Sequence, residues 1–143
     1  MQPLRVGVCG LGTVAQGVLE VLTRNADLIE RRAGRRIVVT RVASRRGRPG
    51  GDLRGATFSL DVADIPGDPD VDVMVELIGG DGLAVELISR ALEHGKPVVT
   101  ANKAAIARHG DRLRATAQRQ GVPLSFEAAV AGGIPIIASL TQG

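Results

Sequence analysis

Hydrophobic and polar positions follow two rhythms along this chain. Leu4 to Cys9 (Leu-Arg-Val-Gly-Val-Cys) is short, valine-rich and bounded by Gly10, which reads as a buried strand. From Val14 the apolar positions fall at Val14, Val18, Leu19 and Leu22, one face of a helix. The periodicity carries that helix toward Leu28 and Ile29, with Gly34 as its stop. Ile37 to Ala43 is a second strand. Arg45 to Gly55 holds four Arg and four Gly and reads as an exposed loop. Val71 to Ile78 is a third strand, preceded by the turn-rich Pro66-Gly67-Asp68-Pro69. Leu83, Leu87, Ile88, Ala91 and Leu92 keep helical spacing, with Gly95 placed as a C-terminal cap and Pro97 beyond it. Pro97 to Thr100 is a short strand, Asp111 to Gln120 a helix ended by Gly121 and Pro123, and Leu124 to Phe126 a last strand. Strands alternating with helices predict an α/β fold: a doubly wound, mainly parallel sheet with helices on both faces.

Composition narrows the function. The 143 residues are enough for one domain with a real core, and 44% hydrophobic against 23% charged residues predicts a folded chain. Net charge is only +3, and with two Phe, no Tyr and no Trp there is no stacking platform for single-stranded nucleic acid. The Arg residues are scattered over a loop and several helices, so no nucleic-acid partner is expected. One Cys excludes an internal disulfide and a cysteine-based zinc site. No apolar run reaches the ~18–20 residues that span a bilayer, and the N-terminus carries no basic-then-apolar signal segment. The expected location is the cytoplasm, with no membrane partner. Of 18 basic residues only Lys96 and Lys103 are lysines, so each lysine is more informative than an Arg.

The first strand runs into Gly10-Leu11-Gly12-Thr13-Val14-Ala15, a G-x-G-x-x-A pattern between a strand and an amphipathic helix. Gly10 permits a tight turn, Gly12 lets a pyrophosphate approach the backbone, and Ala15 lets the helix pack close on the strand. Free N–H groups at the helix start then face the phosphates. A dinucleotide site in a Rossmann-type fold is the expectation; a purely structural turn is the alternative. A carboxylate for a ribose 2′-hydroxyl is normally offered ~20 residues past the glycines. The second strand offers Ala43-Ser44-Arg45-Arg46 instead. A guanidinium from Arg45 suits a 2′-phosphate, which favours NADP over NAD, unless Arg45 and Arg46 merely begin a solvated basic loop. Past the next two strands lie Glu76-Leu77-Ile78-Gly79-Gly80 and Thr100-Ala101-Asn102-Lys103. The glycine pair lets a cofactor lie near the backbone, and Lys103 can reach the crevice as a charge or proton carrier. Otherwise Lys103 is an ordinary exposed lysine, although the helix dipole disfavours a cation at that end.

These segments together resemble homoserine dehydrogenase. The resemblance rests on G-L-G-T-V-A-Q-G-V at Gly10 to Val18, E-L-I-G-G at Glu76 to Gly80, G-K-P-V-V-T-A-N-K at Gly95 to Lys103, and F-E-A-A-V-A-G-G-I-P-I-I at Phe126 to Ile137. Two departures are small: Ala15 stands where the family often has Gly, and Ala129 where it often has Ser. The resemblance implies NAD(P)H-dependent interconversion of L-aspartate 4-semialdehyde and L-homoserine, on the route to threonine, methionine and isoleucine. It implies a cofactor on Gly10, Leu11, Gly12, Thr13 and Val14, near Ile78 and Gly79, and at Thr100 and Lys103, with Lys103 catalytic. It also implies a monovalent cation such as Na+ at Glu127, Val130, Gly132 and Ile134, where the alternative is a plain hinge. Residues 1–130 would form the nucleotide domain, and residues 131–143 would begin the link to a substrate domain. The apolar run Ile134 to Leu140, stopping at Thr141-Gln142-Gly143, fits a chain cut from something longer. The longer protein is expected to dimerise, and this chain alone to bind NADP(H) without turnover. Two competing readings are another NAD(P)-dependent dehydrogenase and a nucleotide-sensing module without chemistry. The third and fourth motifs argue against the first of these, and Lys103 against the second.

Overall fold

The structure is a computed structural model that describes residues 2–10, 13–45 and 53–126. Six parallel strands form one sheet in the order β3-β2-β1-β4-β5-β6. They are β1 (Leu4–Cys9), β2 (Ile37–Ala43), β3 (Thr57–Ser59), β4 (Val73–Glu76), β5 (Val98–Thr100) and β6 (Leu124–Phe126). The helices are α1 (Thr13–Arg24), α2 (Ala26–Ala33), α3 (Gly82–Glu93) and α4 (Lys103–Gln120). This is the doubly wound order that alternation of strands and helices predicts. Strand order reverses direction between β1 and β4, which opens a crevice at their C-terminal ends.

The sheet divides the core in two. Val6 and Val8 of β1, Val73 and Val75 of β4 and Val99 of β5 face the apolar stripe of α1 and α2, including Ala15, Val18, Leu19, Leu22 and Ile29. The alternate positions Cys9, Met74 and Val98 face α3 and α4, with Leu87, Ile88, Leu92 and Leu113 fully buried between. Each such leucine contributes roughly 1.5–3 kcal/mol by leaving water. Both faces being covered explains why the strands read as nearly continuous apolar runs.

Four elements differ from the sequence reading. The first helix is two: Asn25 interrupts it at φ −109°, just after Thr23 donates its hydroxyl to the Leu19 carbonyl at 2.9 Å. Such back-bonding bends helices. Gly34 still ends α2, in the left-handed conformation at φ +79°. The helix expected from Asp111 begins at Lys103, because Asn102 caps it by accepting from the Ala105 N–H at 3.0 Å. Gly110, just before the expected start, lies buried inside it. The edge strand β3 has only three residues and no alternation to announce it. β4 covers only Val73–Glu76 of the apolar run Val71 to Ile78, although Asp72 and Leu77 at its two ends still donate their N–H groups to the Arg5 and Cys9 carbonyls. Of the Arg45 to Gly55 loop, residues 46–52 lie outside the described part, as does the expected helix at Ile134 to Leu140.

No helix connects β3 to β4. The chain crosses the sheet through a 3-10 turn at Val62–Asp64 and an irregular segment up to Asp72. Gly7 makes room for it: a Cβ there would lie 2.8 Å from Ile65 Cγ2 and 2.9 Å from Val71 Cγ2. Polar bonds pin the crossover. Arg41 Nε reaches Asp68 Oδ2 at 2.8 Å, Lys96 Nζ donates to the Asp68 carbonyl at 2.9 Å, and Thr40 Oγ1 donates to the Asp70 carbonyl at 2.9 Å. Lys96, one of the two lysines, is thus structural.

At the end of the crossover, the Arg5 backbone N–H and guanidinium both donate to Asp72, at 2.8 Å and 3.0 Å. The Arg5 hydrogen bond holds the Asp72 carboxyl below the usual carboxylate range, against the opposing effect of partial burial. A folded-state value below the unfolded one gives stability that is complete above about pH 4 and lost as pH falls through the folded value. Urea unfolding followed from pH 6 to pH 2.5 is therefore expected to show falling stability at the acid end, and Asp72→Asn is expected to flatten that limb. An unchanged acid limb in the variant contradicts the assignment.

Candidate functional site

Of the residues singled out by sequence, Gly10, Thr13, Val14, Ile78, Gly79, Thr100 and Lys103 lie at or just past the C-terminal ends of β1, β4 and β5, beside the reversal in strand order, and Arg45 follows β2. Gly10 leaves β1 at φ +105°, and its N–H donates to the Ala43 carbonyl of β2 at 2.7 Å. A Cβ on Gly10 would lie 2.9 Å from the Leu77 carbonyl oxygen. Only glycine lets the turn after β1 run against the turn after β4. Leu77 donates its N–H to the Cys9 carbonyl at 2.9 Å, which joins the two turns. Thr13 and Val14 open α1, whose first turn carries no carboxylate. An anion at that helix start therefore meets amide groups without an opposing negative charge from the turn itself. Leu11 and Gly12 lie outside the described residues.

On the other side of the reversal, Gly79 and Gly80 follow β4 with φ of +89° and +72°, both exposed, with no atom within contact of where a Cβ would stand. Ile78 beside them is half-buried. Bare backbone with open space before it suits a flat ring lying against the chain. The cradle therefore fits a dinucleotide: an amide-lined helix start on one side, a side-chain-free floor on the other. Arg45 is exposed just beyond β2, where the ribose end of such a ligand falls. Ser44, between strand and Arg45, is buried.

Three strand ends stand side by side in register: Cys9 pairs with Glu76, and Glu76 with Thr100. All three are fully buried. Glu76 had a place in a motif but no role, and the signal that marks it is a carboxylate in an otherwise apolar strand. Its Oε1 accepts from the Thr100 hydroxyl at 2.5 Å, and its Oε2 accepts from the Ile78 and Gly79 N–H groups at 2.8 and 3.3 Å. A buried carboxylate is tolerable only with donors of this kind. Thr100 Oγ1 in turn accepts the Asn102 N–H at 3.0 Å. The Asn102 side chain donates to the Gly80 carbonyl while capping α4 through Ala105. Burial, and then the Glu76 charge, push the Cys9 thiol up, so it is not a nucleophile here.

Lys103 is the first residue of α4 and is exposed. The cap residue before it is tied to Gly80, which sets the helix start beside the glycine pair. The residues expected to hold a cation, Glu127, Val130, Gly132 and Ile134, lie outside the described part. Among the described residues no cluster of three or more His, Cys, Asp or Glu is arranged to hold a metal ion. Nor is any described helix long and apolar enough to cross a membrane. Replacing Gly10 with Ala is expected to destabilise the chain by about 1–3 kcal/mol, through backbone strain and the clash with Leu77. A urea midpoint equal to that of the parent chain contradicts this.

Comparison with known proteins agrees with this geometry. The family described as "Homoserine dehydrogenase, NAD binding domain" matches residues 10–127. The homoserine dehydrogenase of Pseudomonas aeruginosa is 52% identical over 143 residues, all of this chain and 33% of that protein. That of Bacillus subtilis is 38% identical over 145 residues, all of this chain and 34% of that protein. The crystal structure of a homoserine dehydrogenase from Thiobacillus denitrificans superposes with a TM-score of 0.82 at 48% identity, over 97% of this chain and 32% of that one. The S. aureus homoserine dehydrogenase at pH 7.5 also gives 0.82, at 34% identity over 93% of this chain and 34% of that one. The chain thus spans about a third of the length of these relatives, and it belongs to the homoserine dehydrogenase family.

Proposed function

We propose that this chain is the nicotinamide-nucleotide-binding part of an enzyme that interconverts L-aspartate 4-semialdehyde and L-homoserine with NADP or NAD. The observation that carries the reading is the contact of Gly10 with the Leu77 carbonyl at the reversal of strand order, flanked by α1 and the glycine pair. When bound, the coenzyme supplies or accepts a hydride at its nicotinamide ring.

The chain's own residues do the holding. The turn from Gly10 through Leu11, Gly12, Thr13 and Val14 presents main-chain amides to the pyrophosphate. Ile78, Gly79 and Thr100 border the nicotinamide side. Arg45 pairs with the 2′-phosphate, which favours NADP over NAD. Lys103, at the start of α4, stands as the catalytic cation that carries a proton to or from the reacting oxygen. Glu127, with backbone oxygens of Val130, Gly132 and Ile134, holds a monovalent cation such as Na+, for which an all-oxygen donor set is chemically apt.

Residues 1–130 form this nucleotide domain, and residues 131–143 lead toward the part that holds the amino-acid substrate. The length of the relatives supports that division. Hydride transfer needs the substrate carbon held in near-attack geometry over the ring, which takes groups from both parts. The whole enzyme acts as a homodimer in the cytoplasm on a small-molecule substrate.

Calorimetric titration of the 143-residue chain is expected to show tighter binding of NADPH than of NADH, and Arg45→Ala is expected to reduce that preference about tenfold. Equal affinities in the parent chain overturn the role of Arg45; binding of neither coenzyme overturns the nucleotide site. The chain alone is expected to give no homoserine-dependent reduction of NADP. In the longer protein, Lys103→Ala is expected to lower the rate by about 10²–10⁴ with little change in coenzyme affinity, and an unaltered rate removes Lys103 from the chemistry.

A further inference from the structure

We infer that Glu76, acting with Thr100 and Asn102, is a positioning strut for the nicotinamide half of the coenzyme; this rests on the nucleotide site proposed above. The strut joins the segments that follow β4 and β5, which beyond their strands are also linked by a long backbone bond from the Ala101 N–H to the Glu76 carbonyl at 3.4 Å. One carboxylate oxygen of Glu76 holds the turn after β4 through the Ile78 and Gly79 amides, and the other holds the end of β5 through Thr100. From Thr100 the chain of hydrogen bonds continues to the Asn102 N–H, and the Asn102 side chain returns to the Gly80 carbonyl. The loop closes on itself: Glu76, Thr100, Asn102, Gly80 and back along the backbone to Glu76.

This ring of bonds fixes the separation between the glycine pair and the start of α4, where Lys103 stands. A carboxylate is suited to the task because it only accepts, and here donors approach from both sides. A glutamine that keeps its oxygen toward the Ile78 and Gly79 amides turns its NH2 to Thr100, whose hydroxyl then has to accept and loses the acceptor it donates to; the opposite orientation sets N–H against N–H. Glu76 is wholly buried and touches no open surface. It therefore acts through the exposed Gly79 and Gly80, with Thr100, equally buried, as a member of the strut, and not on the ligand directly.

The position of the strut decides which part of the ligand it governs. In a doubly wound sheet the pyrophosphate sits at the start of α1 and the adenosine ribose at the end of β2. Both lie on the β1–β2 side of the reversal. Glu76, Thr100 and Asn102 lie on the β4–β5 side, under the nicotinamide end. Loosening the strut is expected to weaken the coenzyme's grip at that end and to leave the adenosine end alone. A residue that served only the stability of the fold would affect both ends alike.

The test is a titration of the 143-residue chain and its Glu76→Gln and Asn102→Ser variants with two ligands, NADPH and adenosine 2′,5′-bisphosphate. Asn102→Ser keeps an oxygen to cap α4 and removes the bond to Gly80. With no Trp or Tyr in the chain, reduced-nicotinamide fluorescence is read against a dark background. The expected result is NADPH binding weakened about tenfold, with loss of the fluorescence gain on binding and unchanged affinity for the bisphosphate. If Glu76→Gln does not fold, the same split in Asn102→Ser carries the decision. Unchanged NADPH binding in a folded variant, or equal weakening of both ligands, overturns the strut while the parent chain's binding upholds the nucleotide site. Failure of the parent chain to bind either ligand overturns the site and the strut with it.

Discussion

The molecule is organised around one close approach, in which the backbone leaving β1 touches the backbone leaving β4. A side chain on Gly10 would occupy the space of the Leu77 carbonyl. The Leu77 N–H, donated to the Cys9 carbonyl, holds the approach, and the Gly10 N–H, donated to the Ala43 carbonyl, ties the same turn to β2. Because β1 and β4 are neighbours although two strands and two helices separate them in sequence, their C-terminal turns diverge to opposite sides. The crevice is the geometric result of that divergence.

Around that junction the two halves of the protein work differently. On the β1–β2 side, the surface proposed to hold the coenzyme is main chain: Gly10 and the opening of α1. On the β4–β5 side it is main chain arranged by buried side chains. Glu76 sits among apolar neighbours such as Met74 and Val98, where an uncompensated charge would cost several kcal/mol. The three donors from Thr100, Ile78 and Gly79 offset that cost; Ile78 and Gly79 belong to the loop after β4, and Thr100 ends β5. The binding surface and the burial of the charge therefore depend on each other.

Much of this was legible in the residues. Long amphipathic elements announce themselves, and the tight turn that the pattern assigns to Gly10 is there, at φ +105° against Leu77. The glycine caps at Gly34 and Gly121 also fell where their helices stop. What escaped was local or mutual. The break at Asn25 depends on a hydroxyl one turn away. The start of α4 depends on an asparagine cap that outweighs the helix-breaking look of His109-Gly110-Asp111. β3 gains its identity only from its pairing with Arg41, Val42 and Ala43. The role of Glu76 depends on Thr100, 24 residues away, and on the register that makes them neighbours, which no pattern along one strand contains. The crossover after β3 is similar: Gly7 looks like an ordinary strand glycine until Ile65 and Val71 are seen lying over it.

The pairing of Glu76 with Thr100 has a consequence for how the sheet assembles. Alternate residues of a strand point to opposite faces, so a slip of β4 by one position would turn the carboxylate toward Val6, Val8 and Val99, where no donor waits. Such a misaligned sheet would bury a naked charge in oil. The same acid that braces the crevice thus acts as a notch in a key, admitting one alignment of the central strands and making its nearest rivals too costly to persist.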